Sequence, residues 1–113
     1  MKIIFLDIDG VIMIRPKRKY LLPSKFAIRV LNEILESEEN IKIVISSCWR
    51  ISRTLEELKD TFISWGINKK YILDITPRMC YPDKNIERIM DCEEWLRENI
   101  LKYDITDYVI IDD

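Results

Sequence analysis

The stretch IIFLDIDGVIMI, residues 3–14, runs four apolar residues into two carboxylates one residue apart, then into the first of only two glycines in the chain. Residues 2–8 are too uniformly apolar for a half-exposed strand and too few for a helix. They read as a strand buried on both faces, the kind that parallel sheets contain. The end of that strand poses a problem of charge. Side chains at i and i+2 on a strand point the same way, so Asp7 and Asp9 repel one another at neutral pH unless a cation stands nearby. With no histidine anywhere in the chain, a hard divalent ion held by oxygen ligands is the economical counter-charge, and Asp112 with Asp113 can complete its shell. The opposing reading makes Asp7 and Asp9 turn formers ahead of Gly10, a role that aspartate often fills.

Outward from this stretch the pattern repeats. IKIVIS (41–46) and YVIID (108–112) have the same character, and YILDI (71–75) is a weaker copy. Between them, apolar residues fall at three- and four-residue intervals: Ala27, Val30, Leu31, Ile34 and Leu35; then Leu55, Leu58, Phe62 and Trp65; then Ile89, Cys92, Leu96 and Ile100. Each set makes one helical stripe to lay on a sheet. Ser24 after Pro23 caps the first helix, and Thr54 with Glu57 fits a capping box for the second. Strand and helix alternate throughout, which predicts an α/β fold with a parallel sheet and right-handed crossovers. The longest irregular pieces are 10–23 and 74–86. Ligands of such sheets bind beyond the carboxyl ends of the strands. DIDG (7–10), SSCWR (46–50) and the Asp112–Asp113 pair all fall there.

At 113 residues, the chain is expected to form one domain, 1–113. A composition of 48% hydrophobic and 34% charged residues is that of a folding chain rather than a disordered one. The net charge of −2 gives no global attraction to nucleic acid or to an anionic membrane; the basic segment IRPKRKY (14–20) is a local exception. No apolar run approaches the roughly 20 residues needed to span a bilayer, and no signal peptide is evident, so a soluble, cytoplasmic protein without a membrane partner is expected. Three cysteines without a C-x-x-C pair, and no histidine, exclude the usual zinc sites and histidine-based triads. The chemistry must run on carboxylates, hydroxyls and cations.

FLDIDGV (5–11) resembles the first motif of the haloacid dehalogenase (HAD) superfamily, most of whose members are magnesium-dependent phosphatases. KIVISSCWR (42–50) is similar to its second motif in the variant form SSSWR. RIMDCEEWL (88–96) resembles the R-x-x-E-I-x-x-W-L segment of a subgroup found beside RNA-repair enzymes, with Asp91 and Cys92 where Glu and Ile are expected. YVIIDD (108–113) resembles the fourth motif, hhhhDD. The likeness covers residues 3–113. It implies a Rossmann-like three-layer sandwich with a central, mostly parallel sheet, and the short stretch between the first two motifs leaves no space for a large cap domain. The family usually continues past the fourth motif, often with another Asp, whereas this chain stops at Asp113; the resemblance implies a domain that is shortened there, minimal by nature, or covered at its exposed edge by a partner chain.

The resemblance also assigns roles. It implies that Asp7 is the nucleophile, forming an aspartyl-phosphate, and that Asp9 is the general acid and then base. Mg2+ is held by Asp7, Asp9, Asp112 and Asp113. Ser46 bonds a phosphate oxygen, with Ser47 as the alternative, since the strand end decides between them. Arg88 neutralises the phosphoryl charge, with Lys84 competing for that place. Trp49 and Arg50 are candidate substrate contacts, by stacking and by a charge-assisted bond, and equally a core aromatic and a surface cation; Trp65 and Trp95 read as core. Arg15, Lys17, Arg18 and Lys19 fall where the superfamily carries a flap, and read first as a solvated loop, second as an attraction for a phosphorylated polymer or nucleotide. The expected activity is hydrolysis of a phosphomonoester, either a small metabolite or a nucleic-acid end, with oligomeric state left open. Two alternatives stand beside it. One is a phosphoacceptor module of the response-regulator kind, weakened because IKIVIS ends in Ser where that module has its Asp; the other is a catalytically silent HAD-like binding domain.

Overall fold

The computed structural model describes residues 1–16, 20–78 and 84–113, with Lys84 and Asn85 described by their backbone alone. Lys17, Arg18, Lys19 and Cys80 lie outside the described residues, as does the Lys84 side chain. In chain order the elements are β1 (Lys2–Leu6), β2 (Met13–Ile14), β3 (Leu22–Pro23), α1 (Lys25–Ser37), β4 (Ile41–Ile45), α2 (Leu55–Ser64), β5 (Ile72–Ile75), α3 (Lys84–Asn99) and β6 (Asp107–Ile111). Short 3-10 turns at Cys48–Ile51 and Lys69–Tyr71 precede α2 and β5.

The main sheet has the order β5-β4-β1-β6, and every pairing in it is parallel. β1 lies inside, between β4 and β6, which explains its lack of polar alternation: its last four residues are all buried. Strand alternation divides the core in two. Ile4, Leu6, Ile43 and Ile45 meet Leu31 and Leu35 of α1 and Leu58 and Phe62 of α2 on one face. Ile3, Phe5 and Val44 meet Cys92 and Trp95 of α3 on the other. The result is a three-layer sandwich, each fully buried aliphatic or aromatic side chain contributing about 1.5–3 kcal/mol through its removal from water.

The expected caps are in place. Ser24 Oγ accepts the Ala27 amide at 3.1 Å, and Thr54 and Glu57 form a reciprocal capping box. The stripe of α3 differs from the expected one. Ile89 and Ile100 are exposed, at 50% and 45%, whereas Asp91, Cys92 and Trp95 are buried, so the inward face is turned by about one position. Trp95 occupies that inward face: its ring meets Phe5 edge-on, with centroids 5.7 Å apart, and its Nε1–H donates to Asp74 Oδ2 at 2.8 Å. A tryptophan buries more area than an isoleucine, provided its N–H finds a partner.

The stretch 10–23, expected to be irregular, contains the small antiparallel pair β2/β3, with Met13 opposite Pro23 and Ile14 opposite Leu22. The described residues between 7 and 24 thus hold a short ribbon and no cap domain. Among the described residues, no helix is long and apolar enough to cross a membrane.

Candidate active site

The strands of the main sheet run out level with one another. Leu6 is in register with Ile45 and Ile111, and Ile45 with Ile75. The next residue of each strand is polar, so Thr76, Ser46, Asp7 and Asp112 form a row along the carboxyl edge. Backbone bonds extend the ladder into this row: the Asp7 amide donates to the Ile111 carbonyl at 2.9 Å, Ser46 to Leu6 at 2.9 Å, and Thr76 to Ile45 at 3.0 Å. The chain leaves β1 towards β4 on one side, and returns through α3 to β6 on the other, so Asp7 and Asp112 flank the switch in strand order where α/β sheets bind ligands.

Asp7 is 2% exposed. Its Oδ1 accepts the Ile8 amide at 2.8 Å, and its Oδ2 accepts from Arg88 Nη1 at 2.7 Å. The same Nη1 donates to Asp112 Oδ1 at 2.7 Å, and Arg88 Nη2 donates to Cys48 Sγ at 3.3 Å. One guanidinium nitrogen thus bridges the ends of β1 and β6. Burial pushes the Asp7 carboxyl above its ordinary value, against the bond from Arg88. At Asp112 burial acts in the same direction but is outweighed by the Arg88 bond, helped by bonds involving Asp7 and the Asp113 amide, so its carboxyl is held below the usual range. Burial also works against the Arg88 charge, yet its bonds to Asp112 and Asp7 prevail and the guanidinium is pushed upward.

Asp9 and Asp113 are turned to other partners. Asp9 Oδ1 accepts from Trp49 Nε1 at 3.0 Å. Trp49 in turn packs edgewise on Trp65, 5.9 Å away, with Arg53 lying 4.4 Å from its ring centre. The Asp113 carboxylate lies over the Cα of Gly10, on the side where a Cβ would stand. Gly10 has φ +81°, a backbone conformation that favours glycine there.

Asp7, Asp9, Arg88, Asp112 and Asp113 line a single cavity of about 760 Å³. Of the SSCWR segment, Cys48 and Arg50 reach its wall. Ser46 Oγ faces Cys92 Sγ at 3.5 Å, and Ser47 Oγ accepts the Trp49 amide at 3.2 Å to cap the 3-10 turn. Arg50 is turned inward: Nε donates to the Thr76 carbonyl, Nη1 to the Ser47 carbonyl and Nη2 to Asp91. Cys48, Thr76 and Asp91 were not anticipated as site residues. Asp91 had a signal, since a residue three positions after Arg88 shares its helical face; Cys48 and Thr76 had none beyond their place at a strand end.

The family model for the HAD domain in Swiss Army Knife RNA repair proteins matches residues 3–113. The chain belongs to that family. A search of curated proteins and one of solved structures find no match. Membership carries a phosphatase-type function in general terms, and HAD proteins generally use Mg2+, so the donor set must be tested against that ion. Among the described residues of this HAD domain, no three acidic, thiol or imidazole groups stand close enough to cage a metal by themselves. Asp7 and Asp112 nevertheless place two oxygens 2.7 Å from one cationic nitrogen. Magnesium asks for little more than one or two carboxylates plus water and substrate phosphate. The pair therefore fits magnesium, with Arg88 standing as the cation between the two carboxylates.

Proposed function

We propose that this HAD domain is a Mg2+-dependent phosphohydrolase that cleaves a phosphomonoester through an aspartyl-phosphate on Asp7. The supporting observation is the meeting of Asp7 and Asp112 on one nitrogen of Arg88 at the wall of an open cavity. A phosphoryl group entering there meets a buried carboxylate oxygen and a fixed cation together. Positioning and electrostatic stabilisation of this kind supply most of the acceleration in phosphoryl transfer.

In the first step Asp7 Oδ2 attacks phosphorus and the ester P–O bond breaks, while Asp9 delivers a proton to the leaving oxygen. In the second step water attacks the same phosphorus, the Asp7–phosphorus link breaks, and Asp9 takes the proton. Trp49 holds the Asp9 carboxylate in one orientation for both transfers. Arg88 neutralises charge on the equatorial oxygens. The ion, held by Asp7, Asp112 and the Asp9 backbone oxygen when bound, supplies positive charge where the phosphate develops negative charge. Ser46 and Ser47, the hydroxyls proposed for a bond to the phosphate, face Cys92 Sγ and the Trp49 amide respectively. The absence of a cap domain among the described residues suits a bulky substrate, a nucleic-acid end as well as a small ester. Cys48 and Cys92 are free thiols, in keeping with a reducing, cytoplasmic setting.

Hydrolysis of p-nitrophenyl phosphate, followed with and without Mg2+, tests this reading on the parent and on Asp7→Asn. Metal-dependent turnover that falls about 10³-fold or more in the variant is the expected result. Stable phosphorylation without turnover would point to a phosphoacceptor module, and neither turnover nor phosphorylation to a silent fold.

A further inference from the structure

Helix α3 carries Arg88 to the site, so its height and rotation decide whether the guanidinium reaches Asp7 and Asp112. Apolar packing by Cys92 and Trp95 is non-directional and cannot set that rotation alone. Three residues after Arg88, on the same helical face, Asp91 is fully buried, and the Arg50 side chain it pairs with is 5% exposed. Arg50 also donates to the Thr76 carbonyl at 3.2 Å and to the Ser47 carbonyl at 2.7 Å. One planar side chain therefore ties the chain beyond β4 and the chain beyond β5 to the turn of α3 next to Arg88. Among the described residues, the tie from Trp95 to Asp74 lies about one turn further on, and the Ser46 Oγ–Cys92 Sγ contact at 3.5 Å is a weak one, thiols being weak hydrogen-bonding groups. The pair of Arg78 with Glu87 is 3.5 Å long and its arginine is 56% exposed, so it is a weak restraint.

We propose that Arg50 and Asp91 are positioning residues, a buried ion pair that fixes α3 so that Arg88 bridges Asp7 and Asp112. A buried pair is weak grounds for stability, because desolvation offsets its attraction. Its fork geometry is strong grounds for orientation, because each N–H has a fixed direction. The catalytic consequence rests on the phosphohydrolase reading; the positioning itself does not.

The test uses the double variant Arg50→Met/Asp91→Leu, since removing both charges together commonly preserves folding where removing one does not, and Arg50→Lys, which keeps the charge without the fork. Two readouts apply. In 15N-edited NMR, the Arg88 side-chain N–H signal, identified by its loss in Arg88→Lys, is expected to be sharp in the parent and broadened or lost in both variants. With p-nitrophenyl phosphate, KM is expected to rise or kcat/KM to fall by about ten- to a hundredfold in the double variant, with a smaller effect for Arg50→Lys. In an Arg88→Ala background the same changes are expected to cost nothing further, because they act through Arg88. A sharp, unshifted Arg88 signal in the variants overturns the proposal, as does a cost that multiplies with that of Arg88→Ala. If the parent has no phosphatase activity, the reading of function fails, and the Arg88 signal still decides the positioning.

Discussion

Asp7 combines burial with charge, and these pull its stability and its chemistry in opposite directions. Its carboxyl lies above the ordinary value because burial outweighs the Arg88 bond. The sign follows: in the folded chain ionisation at Asp7 is disfavoured relative to the unfolded chain, so its charge subtracts from stability at neutral pH, and that cost is relieved as pH falls through the raised value. Asp7→Asn is therefore expected to abolish turnover while raising Tm by roughly a few degrees in metal-free buffer, as scanning calorimetry would record. A variant that loses activity and melts lower would contradict this account of the site. Asp9→Asn is expected to lower kcat about 10²- to 10⁴-fold, the usual worth of general acid and base. Trp49→Phe keeps the ring on Trp65 and deletes only the N–H that holds Asp9; a drop of about five- to tenfold in kcat with little change in KM is expected, the scale of one hydrogen bond. A parent-like rate would remove Trp49 from the mechanism. At this scale the sequence was legible wherever a motif marks a strand end: Asp7, Asp9, Arg88 and Asp112 were all singled out as candidates, and the structure brings three of them together. The Arg50–Asp91 pair was not legible, because its partners lie 41 residues apart and no periodicity links them.

Elements were legible in proportion to how completely they are buried. β1 and β4 are covered on both faces, so their unbroken apolar runs had one reading. The ribbon β2/β3 has two residues per strand, too few for any pattern to register. The stripe of α3 was misplaced because Ile89 and Ile100 offered the right spacing while Trp95, with its bond to Asp74, claimed the core. The start of α2 was readable from Thr54 and Glu57 and permits a prediction. Thr54→Ala is expected to cost about 1 kcal/mol, measured by urea denaturation. The Glu57 carboxyl is held below its ordinary value, chiefly by its bond to the Thr54 backbone. A depressed carboxyl contributes stability that is present above its unfolded value and lost as pH falls through the folded one. The difference between parent and Glu57→Gln should therefore narrow below about pH 4. A gap unchanged from pH 7 to pH 3 would show that the box adds nothing through its carboxylate.

Across the whole molecule, function depends on strand order. Placing β6 beside β1, opposite β4, is what brings Asp112 level with Asp7, and no local pattern in the sequence encodes it; only the handedness and adjacency rules of parallel sheets constrain it. Because β1 and β6 meet through two carboxylates sharing one cation, a divalent ion that binds there should hold the edge of the sheet together. Mg2+ is expected to raise Tm and EDTA to reverse it, an effect lost in Asp112→Asn; a Tm indifferent to Mg2+ would argue against an ion between these strands. The central claim is that Asp7 itself carries the phosphoryl group. Borohydride reduction of the enzyme during turnover, followed by peptide mass spectrometry, tests it directly: reduced acyl-phosphate at residue 7 is the predicted result. Trapped label on any other residue, or none in an enzyme that is turning over, would contradict it.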